Sequence, residues 1–295
     1  MHQASALIAL APFVNSPFPL RRARAFFDHR QGARRGRTTR HGQVCWEDET
    51  YNDKRVLLAI PDNFDDTRPA TLVVFLHGNR ARLERDVIAR QQVVRQVHDA
   101  DINAVLVAPQ FALDAPDSSA GRFAVRGVFR RFLDEAAQQL AQLSRQRAPT
   151  SAQVFERASV ILVAYSGGYC PAAAALTVGR ASTRVRGVVL LDALYDHAAL
   201  FAAWLQRRHQ HAFLVSAYTH STRARNLELR ALLNQREQHY TLGLTAHLAP
   251  GSACLVPLDG TVEHAEVVTR AWCDNPLSDV LRRAGHAHHL PGTRR

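Results

Sequence analysis

A single serine stands out in this sequence as a candidate nucleophile. Ser166 lies in the string Ala164-Tyr165-Ser166-Gly167-Gly168, between the apolar run SVILV and a helix-like segment that opens with Cys170-Pro171. A serine on a tight strand-to-helix turn has a strained backbone, so the residues two before and two after it must be small. Ala164 and Gly168 meet that condition. Such a serine could attack an ester or amide carbonyl, although short strings of this kind also occur as turns with an incidental serine.

The string resembles the nucleophile elbow of the α/β-hydrolase superfamily, with Ala164 in place of the usual first glycine. A second string, His77-Gly78-Asn79 after the run TLVVFL, resembles the superfamily's oxyanion-hole segment. The resemblance implies that the backbone N–H groups of Asn79 and Gly167 donate hydrogen bonds to the negative oxygen of a tetrahedral intermediate. We expect His77 to support this turn and not to act as the base.

The resemblance also implies a general base late in the chain, in a loop after the final strand. His264 meets this description, since it follows the apolar run ACLVPL and the turn Asp259-Gly260. His220 and His247 are the alternatives for the base.

The acid is predicted from the end of the strand that corresponds to the superfamily's sixth. In this superfamily the acid usually follows the seventh strand, but the corresponding segment here, AFLVSAYTHSTRARN, has no carboxylate. Some members, the pancreatic-type lipases among them, take it from strand six, and the string Leu191-Asp192-Ala193 resembles theirs. Asp192 is therefore the predicted acid, with Asp196 and then Asp259 as alternates. A carboxylate at a strand end can also simply accept local backbone hydrogen bonds.

The rest of the chain predicts the elements that position these residues. From about Asp53, short and mostly continuous apolar runs alternate with longer amphipathic ones. Strands are predicted at Lys54–Ile60, Thr71–Leu76, Asn103–Ala108, Ser159–Ala164, Val185–Leu191, Ala212–Ala217 and Ala253–Pro257. Helices are predicted at Leu83–Val97, Phe129–Arg145, Cys170–Val178, Ala198–Arg208, Thr222–Gln238 and Ala265–Arg283. This pattern is typical of an α/β fold with a mainly parallel central sheet and helices on both faces.

The domain is expected to span residues 44–285 without a large cap domain, because only one helix fits between Asp192 and the next strand. The net charge of +11 comes mostly from arginine near the two ends of the chain. We therefore expect a flexible arginine-rich leader at 1–43 and a flexible tail at 286–295. The leader could bind nucleic acid without sequence selectivity, but no specific nucleic-acid signature accompanies it.

Composition excludes several other classes of protein. The four cysteines form no C-x-x-C pair, so no zinc finger or other metal site is expected, and no organic cofactor is required. Cys254 and Cys273 could pair in an oxidising compartment. No apolar run approaches the length of a membrane span. The first twenty residues lack the charged start of a signal peptide, which favours the cytoplasm, whereas a true start farther upstream would allow secretion.

Together these features predict a serine hydrolase that cleaves carboxylic esters through an acyl-enzyme, with Ser166, Asp192 and His264 as its triad. The alternatives are a peptidase or polyester depolymerase on the same triad, or a non-catalytic binding module on this scaffold. The substrate is a small-molecule or polymeric ester. The loop Gln110–Val128 is a candidate to contact it, through residues such as Ser118 and Arg122. The sequence leaves the identity of the ester and the oligomeric state open.

Overall fold

The computed structural model describes residues 5–20, 25–39 and 42–286, with only the backbone of His286 included. The strands in these ranges are β1 (Ala6–Pro12), β2 (His29–Gln31), β3 (Arg34–Thr38), β4 (Val44–Trp46), β5 (Arg55–Pro61), β6 (Thr71–Leu76), β7 (Ala104–Pro109), β8 (Ser159–Tyr165), β9 (Val185–Leu191), β10 (Phe213–Tyr218), β11 (Thr241–Leu242) and β12 (Ala253–Pro257). The α-helices are α1 (Glu47–Thr50), α2 (Val93–Asp99), α3 (Val128–Ser144), α4 (Ala152–Arg157), α5 (Tyr169–Thr177), α6 (Ala198–Arg208), α7 (Arg223–Gln235) and α8 (Pro276–His286). A π-helix occupies Leu83–Arg90.

Nine of these strands form one central sheet in the order β1-β5-β7-β6-β8-β9-β10-β12-β11. Strand β5 runs antiparallel to both of its neighbours, and the remaining pairs are parallel. Every residue of β6 and β7 is buried, which explains why these strands are continuous apolar runs and not alternating ones. One face packs on α3, α5 and α6, and the other on α2, α8 and the π-helix. The predicted mainly parallel sheet with helices on both faces is confirmed.

The predicted helices are least accurate where the chain breaks a long amphipathic pattern. The predicted helix Leu83–Val97 divides into the π-helix and α2, because Gln92 between them takes a left-handed conformation with φ of 51°. The predicted helix Ala265–Arg283 is a 3₁₀ turn at His264–Glu266 followed separately by α8. Helix α8 begins at Pro276, whose missing N–H suits the first turn of a helix but not its interior. No helix in the described ranges is long and apolar enough to cross a membrane.

The amino-terminal part of the chain departs from the predicted leader. Strand β1 pairs with β5 along all seven of its residues, so a boundary at residue 44 is wrong for this segment. Phe13 and Phe18, which follow β1, are buried. Strands β2, β3 and β4 form a separate three-stranded sheet. The predicted tail at 286–295 lies outside the described residues, except for the backbone of His286 at the end of α8.

Arginines of this segment are paired with acidic residues of α1, which explains how so basic a stretch can pack. Arg34 donates to Asp48 and Glu49, and Arg35 makes a two-pronged contact with Glu47. The acidic residues of α1 lie just beyond the predicted end of the leader at residue 43, so the leader looked more basic than its surroundings in the fold. Tertiary pairing therefore neutralises part of the charge that suggested a solvated leader.

We expect replacement of Phe13 by alanine to destabilise the whole domain. Phe13 is 1% exposed and its ring lies 5.4 Å from that of Phe132 in α3, so Phe13→Ala would leave a cavity. The expected loss is about 3–5 kcal/mol of the free energy of unfolding. Urea denaturation of the full chain measures it. The matched control is Val14→Ala, because Val14 is 61% exposed. This substitution is expected to change the free energy of unfolding by less than about 0.5 kcal/mol. Equal effects of the two substitutions would show that this segment is not part of the core.

Candidate active site

Ser166 lies on a tight turn between β8 and α5. A 3₁₀ turn covers Ser166–Gly168, and Ser166 itself has a left-handed backbone with φ of 51°, which is unfavourable for a residue with a Cβ atom. A Cβ atom on Gly168 would lie 2.2 Å from the carbonyl oxygen of Leu76, and one on Gly78 would lie 2.8 Å from the Cβ of Ser166. The turn therefore has the strained backbone and the requirement for small neighbours that the sequence predicted.

The structure brings His264 against Ser166 across 98 residues of sequence. The Nε2 atom of His264 lies 2.9 Å from the Oγ of Ser166, and its Nδ1 atom lies 2.6 Å from the Oδ2 of Asp192. Because a carboxylate only accepts, Nδ1 carries the hydrogen and Nε2 is left to accept from the serine hydroxyl. The three residues singled out as a candidate triad thus form one continuous chain of hydrogen bonds.

Tyr165 holds the imidazole in this position. Its ring stacks on that of His264 with centroids 5.2 Å apart and planes at 22°, and its hydroxyl donates to the His264 carbonyl at 3.1 Å. Burial raises the pKa of Tyr165 to about 12, so the hydroxyl remains a donor at neutral pH. The residue directly before Ser166 therefore also fixes the backbone and the ring plane of His264.

Asp192 is a buried carboxylate at the end of β9 with every oxygen engaged. Besides His264, it accepts from the Thr219 backbone N–H at 3.0 Å and from three hydroxyls, those of Thr219 at 2.6 Å, Ser221 at 2.8 Å and Thr222 at 2.5 Å. Burial opposes ionisation of Asp192, but the hydrogen bonds from His264, Thr219 and Thr222 outweigh it and hold the pKa well below its ordinary value. Asp192 is therefore ionised at neutral pH.

The hydroxyl cluster around Asp192 was not foreseen from the sequence. Thr219, Ser221 and Thr222 follow β10, the segment that contains no carboxylate where the superfamily usually has its acid. The available signal was the density of hydroxyl side chains in the string Thr219-His220-Ser221-Thr222. This segment supplies donors to the acid of the neighbouring strand in place of an acid of its own.

The alternates proposed from sequence lie elsewhere. Asp196 is exposed and accepts from the N–H of His197, and Asp259 is exposed and accepts from the N–H of Thr261 within its own turn. His220 and His247 are exposed in loops. Of the candidates for base and acid, the structure joins His264 and Asp192 to Ser166.

Asn79 and Gly167, the predicted oxyanion residues, are neighbours beside Ser166. A Cβ atom on Gly167 would lie 2.2 Å from the Oδ1 of Asn79, so the side chain of Asn79 occupies the space that a side chain at residue 167 would need. Gly167 lies in the first turn of a helical segment, where N–H groups have no partner within the helix. The Oδ1 of Asn79 accepts from the hydroxyl of Ser118 at 3.0 Å, which orients the asparagine side chain.

The buried side chain of His77 links the turn that contains Asn79 to the residues that follow β7. Its Nδ1 atom lies 2.7 Å from the carbonyl oxygen of Gly78, while its Nε2 atom accepts from the Phe111 N–H at 2.9 Å and lies 3.0 Å from the Nε2 of Gln110. A proton on Nε2 would face those two donors. Burial lowers the pKa of His77 to about 4, and the imidazole is therefore neutral. These contacts give His77 a supporting position at the turn.

The candidate substrate loop Gln110–Val128 is held from the amino-terminal side. Asp117 in this loop accepts from the hydroxyl of Tyr51 at 2.7 Å and from the N–H of Ser119 at 2.8 Å, and the Nε of Arg37 lies 3.7 Å away. Arg122 donates to the carbonyl of Val14. The segment expected to be a leader thus positions the loop that carries Ser118 to the site.

The four cysteines all lie within the described residues and are free, so Cys254 and Cys273 are not paired. Among the described residues, no group of three or more His, Cys, Asp or Glu side chains is arranged to hold a metal ion.

No protein-family model matches this sequence, and no curated protein does either. Solved structures are similar to it in fold. One is a mutant of the feruloyl esterase module from Clostridium thermocellum in complex with sinapinate, which is 12% identical, with a TM-score of 0.52 over 100% of both chains. Another, described as FAE, is 14% identical, with a TM-score of 0.53 over 84% of this chain and 90% of that one. At such identities the likeness concerns the fold, which is the α/β-hydrolase fold.

We expect protonation of His77 to destabilise the fold in acid. The unfolded chain has an ordinary histidine pKa near 6.5, so between about pH 6.5 and pH 4 it binds a proton that the folded chain does not. The free energy of unfolding therefore falls as the pH falls through this window, by about 2 kcal/mol between pH 7 and pH 4.5 from this residue.

Urea denaturation at the two pH values measures the effect against His77→Gln. Glutamine can accept the Phe111 N–H but does not titrate, so its variant is expected to lose about 2 kcal/mol less than the wild type on acidification. Parallel losses in the two proteins would contradict a neutral buried His77.

Proposed function

We propose that this protein is a serine hydrolase that cleaves carboxylic esters through an acyl-enzyme. The observation that carries the proposal is the unbroken hydrogen-bond chain from the Oγ of Ser166 through His264 to Asp192, with both distances below 3 Å. In this proposal Ser166 is the nucleophile on a nucleophile elbow, His264 is the general base and Asp192 completes a catalytic triad.

The first half of the reaction follows from these contacts. The Oγ of Ser166 attacks the ester carbonyl while the Nε2 of His264 takes its proton, and Asp192 stabilises the imidazolium that forms. The backbone N–H groups of Asn79 and Gly167 donate to the oxygen as it becomes negative, forming an oxyanion hole. The tetrahedral intermediate then expels the alkoxide, which receives the proton from His264, and the acyl group stays on Ser166.

The second half repeats these steps with water as the nucleophile. His264 removes a proton from water, the resulting hydroxide attacks the acyl carbonyl, and collapse returns the proton to Ser166 as the carboxylic acid leaves. The His264 side chain is 36% exposed, so water can reach its Nε2 side once the alcohol has departed. In this proposal the chain supplies the nucleophile, the base and the acid for both halves, and water is the second nucleophile.

Two observations favour an open site that cleaves esters, including esters on a polymeric chain. A single helix, α6, connects β9 and β10, so the structure has no cap domain in that connection. Proteins of similar fold include one named as a feruloyl esterase module. Cleavage of a polyester or of a peptide would use the same triad. Carboxylic esters, polyesters and peptides are distinguished by which bond the site cleaves fastest.

Labelling with a fluorophosphonate probe tests the nucleophile. We expect one covalent adduct per chain, located at Ser166 by peptide mass spectrometry, and none on Ser166→Ala. The same preparation is expected to hydrolyse p-nitrophenyl acetate and butyrate faster than aminoacyl p-nitroanilides. A folded protein that hydrolyses these esters without being labelled would rule out this mechanism, and faster cleavage of the anilides would indicate a peptidase.

Substitution of the acid tests its role. Asp192→Asn removes the acceptor that holds the proton on Nδ1, so the imidazole can present the wrong tautomer to Ser166. We expect kcat for p-nitrophenyl acetate to fall by about 10³–10⁴-fold. The matched control is Asp196→Asn, because Asp196 is exposed and four residues away, and its kcat should change less than about threefold. A similar loss in both variants would mean that Asp192 is not the acid.

A further inference from the structure

A cavity lies at the opposite edge of the sheet from Ser166. It has a volume of about 980 Å³ and includes Thr71 and Ser159, the first residues of β6 and β8. Ser166 follows the other end of β8, so seven residues of extended chain, roughly 20 Å, separate the two places. The cavity therefore does not belong to the candidate active site.

Arg186 at the start of β9 places a half-buried positive charge in this cavity. Its Nη1 donates to the carbonyl of Ala284 at 3.2 Å and its Nη2 to the hydroxyl of Thr71 at 3.1 Å. Its Nε is inaccessible to solvent and has no acceptor among the described residues. Burial lowers the pKa of Arg186 to about 10, with no acidic side chain acting in the opposite direction. A buried cation without a counter-charge is costly, and an anion bound beside it would remove that cost.

The other charged residues that line the cavity also include more arginines than aspartates. Three exposed arginines, Arg68, Arg157 and Arg282, line it together with the two exposed aspartates Asp66 and Asp101. With Arg186 included, the lining carries a net charge of +2. Asp66 lies 3.2 Å from the hydroxyl of Thr150, which donates to it.

Apolar side chains complete the walls. Pro69, Ala70, Ile102 and Val154 line the same cavity. Its volume is at the upper end of the range for small-molecule sites, which combine mostly apolar walls with a few polar groups that orient the ligand. The arrangement suits a molecule with a doubly charged head and an apolar body.

We infer that this cavity binds a small organic dianion, a phosphate or phosphonate group on an apolar body, with the charged group against Arg186. The guanidinium of Arg186 lines the cavity, and each of its Nη atoms keeps one N–H, beyond the bond to Ala284 or Thr71, for an oxygen of the anion. The hydroxyls of Thr71 and Ser159 lie 3.5 Å apart beside it. Arginine suits this role because its planar donors match the oxygens of such groups. The site is independent of the proposed hydrolysis at Ser166.

Isothermal titration of the full chain with phenylphosphonate tests the inference, in a Tris-chloride buffer free of other multivalent anions. We expect one site per chain and weaker binding of inorganic phosphate, which lacks the apolar body. Arg186→Met is expected to weaken the binding of phenylphosphonate at least tenfold. The matched control is Arg207→Met, because Arg207 is an exposed arginine of α6 that does not line the cavity, and its affinity should stay within twofold.

Binding that Arg186→Met leaves unchanged, or that Arg207→Met weakens equally, would overturn the inference, as would the absence of saturable binding in the wild type. Arg186→Met removes a charge that has no acidic partner among the described residues, so its melting temperature without ligand should not fall. Should this variant fail to fold, the double variant Arg157→Gln, Arg282→Gln at the exposed rim replaces it, with an expected weakening of at least threefold. Unchanged affinity in the double variant would also contradict the site.

Ser166→Ala separates this inference from the proposed function. This variant is expected to bind phenylphosphonate with the affinity of the wild type, because the cavity is at the other end of β8. Loss of binding in Ser166→Ala would show that the probe occupies the candidate active site and would overturn the second site. Fluorophosphonate labelling of Arg186→Met, expected to equal that of the wild type, shows independently that the variant is folded around Ser166.

Discussion

The hydrogen bond between His264 and Asp192 is the interaction on which the arrangement of this site depends. It joins the end of β9 to the turn after β12, and it sets the tautomer that lets His264 accept from Ser166. The carboxylate can be buried only because four further donors from the segment after β10 satisfy it. Three neighbouring strands therefore converge on one side chain, and their parallel arrangement brings their carboxyl ends to the same edge of the sheet.

Two residues with a strained backbone lie at the same edge. Ser166 and Asp192 both follow directly on a buried strand, and both take the left-handed conformation, with φ of 51° and 45°. For residues other than glycine this conformation costs roughly 1–2 kcal/mol each. The apolar strands behind them, buried on both faces, supply the stability that offsets the strain. Gly78, Gly167 and Gly168 allow the turns to approach closely enough for the site to close.

The two ends of the parallel strands have different chemistry. At the carboxyl end a buried anion, Asp192, is fully satisfied by its neighbours, whereas at the amino end a half-buried cation, Arg186, has no acidic partner among the described residues. The first arrangement needs no ligand for its stability, and the second is completed by one. Residues from the amino-terminal part of the chain support the carboxyl end of the strands. Tyr51 and Arg37 hold the loop whose Ser118 orients Asn79.

The sequence by itself determined the core of the sheet and the three residues of the candidate triad. Strand Thr71–Leu76 was predicted to the residue, because burial on both faces demands an uninterrupted apolar run. Ser166 was recognisable because a strained turn tolerates only small neighbours, and Asp192 and His264 through their order along the chain.

Only the tertiary structure decided the rest. Strand β1 is an edge strand whose apolar run could equally have been a tail, and its place depends on pairing with β5 some 50 residues later. The break at Gln92, the hydroxyls around Asp192 and the hydrogen bonds of Arg186 likewise depend on contacts between distant segments. The local pattern of apolar residues indicates which residues are buried, whereas the packing of the whole chain determines the partners of a buried polar group.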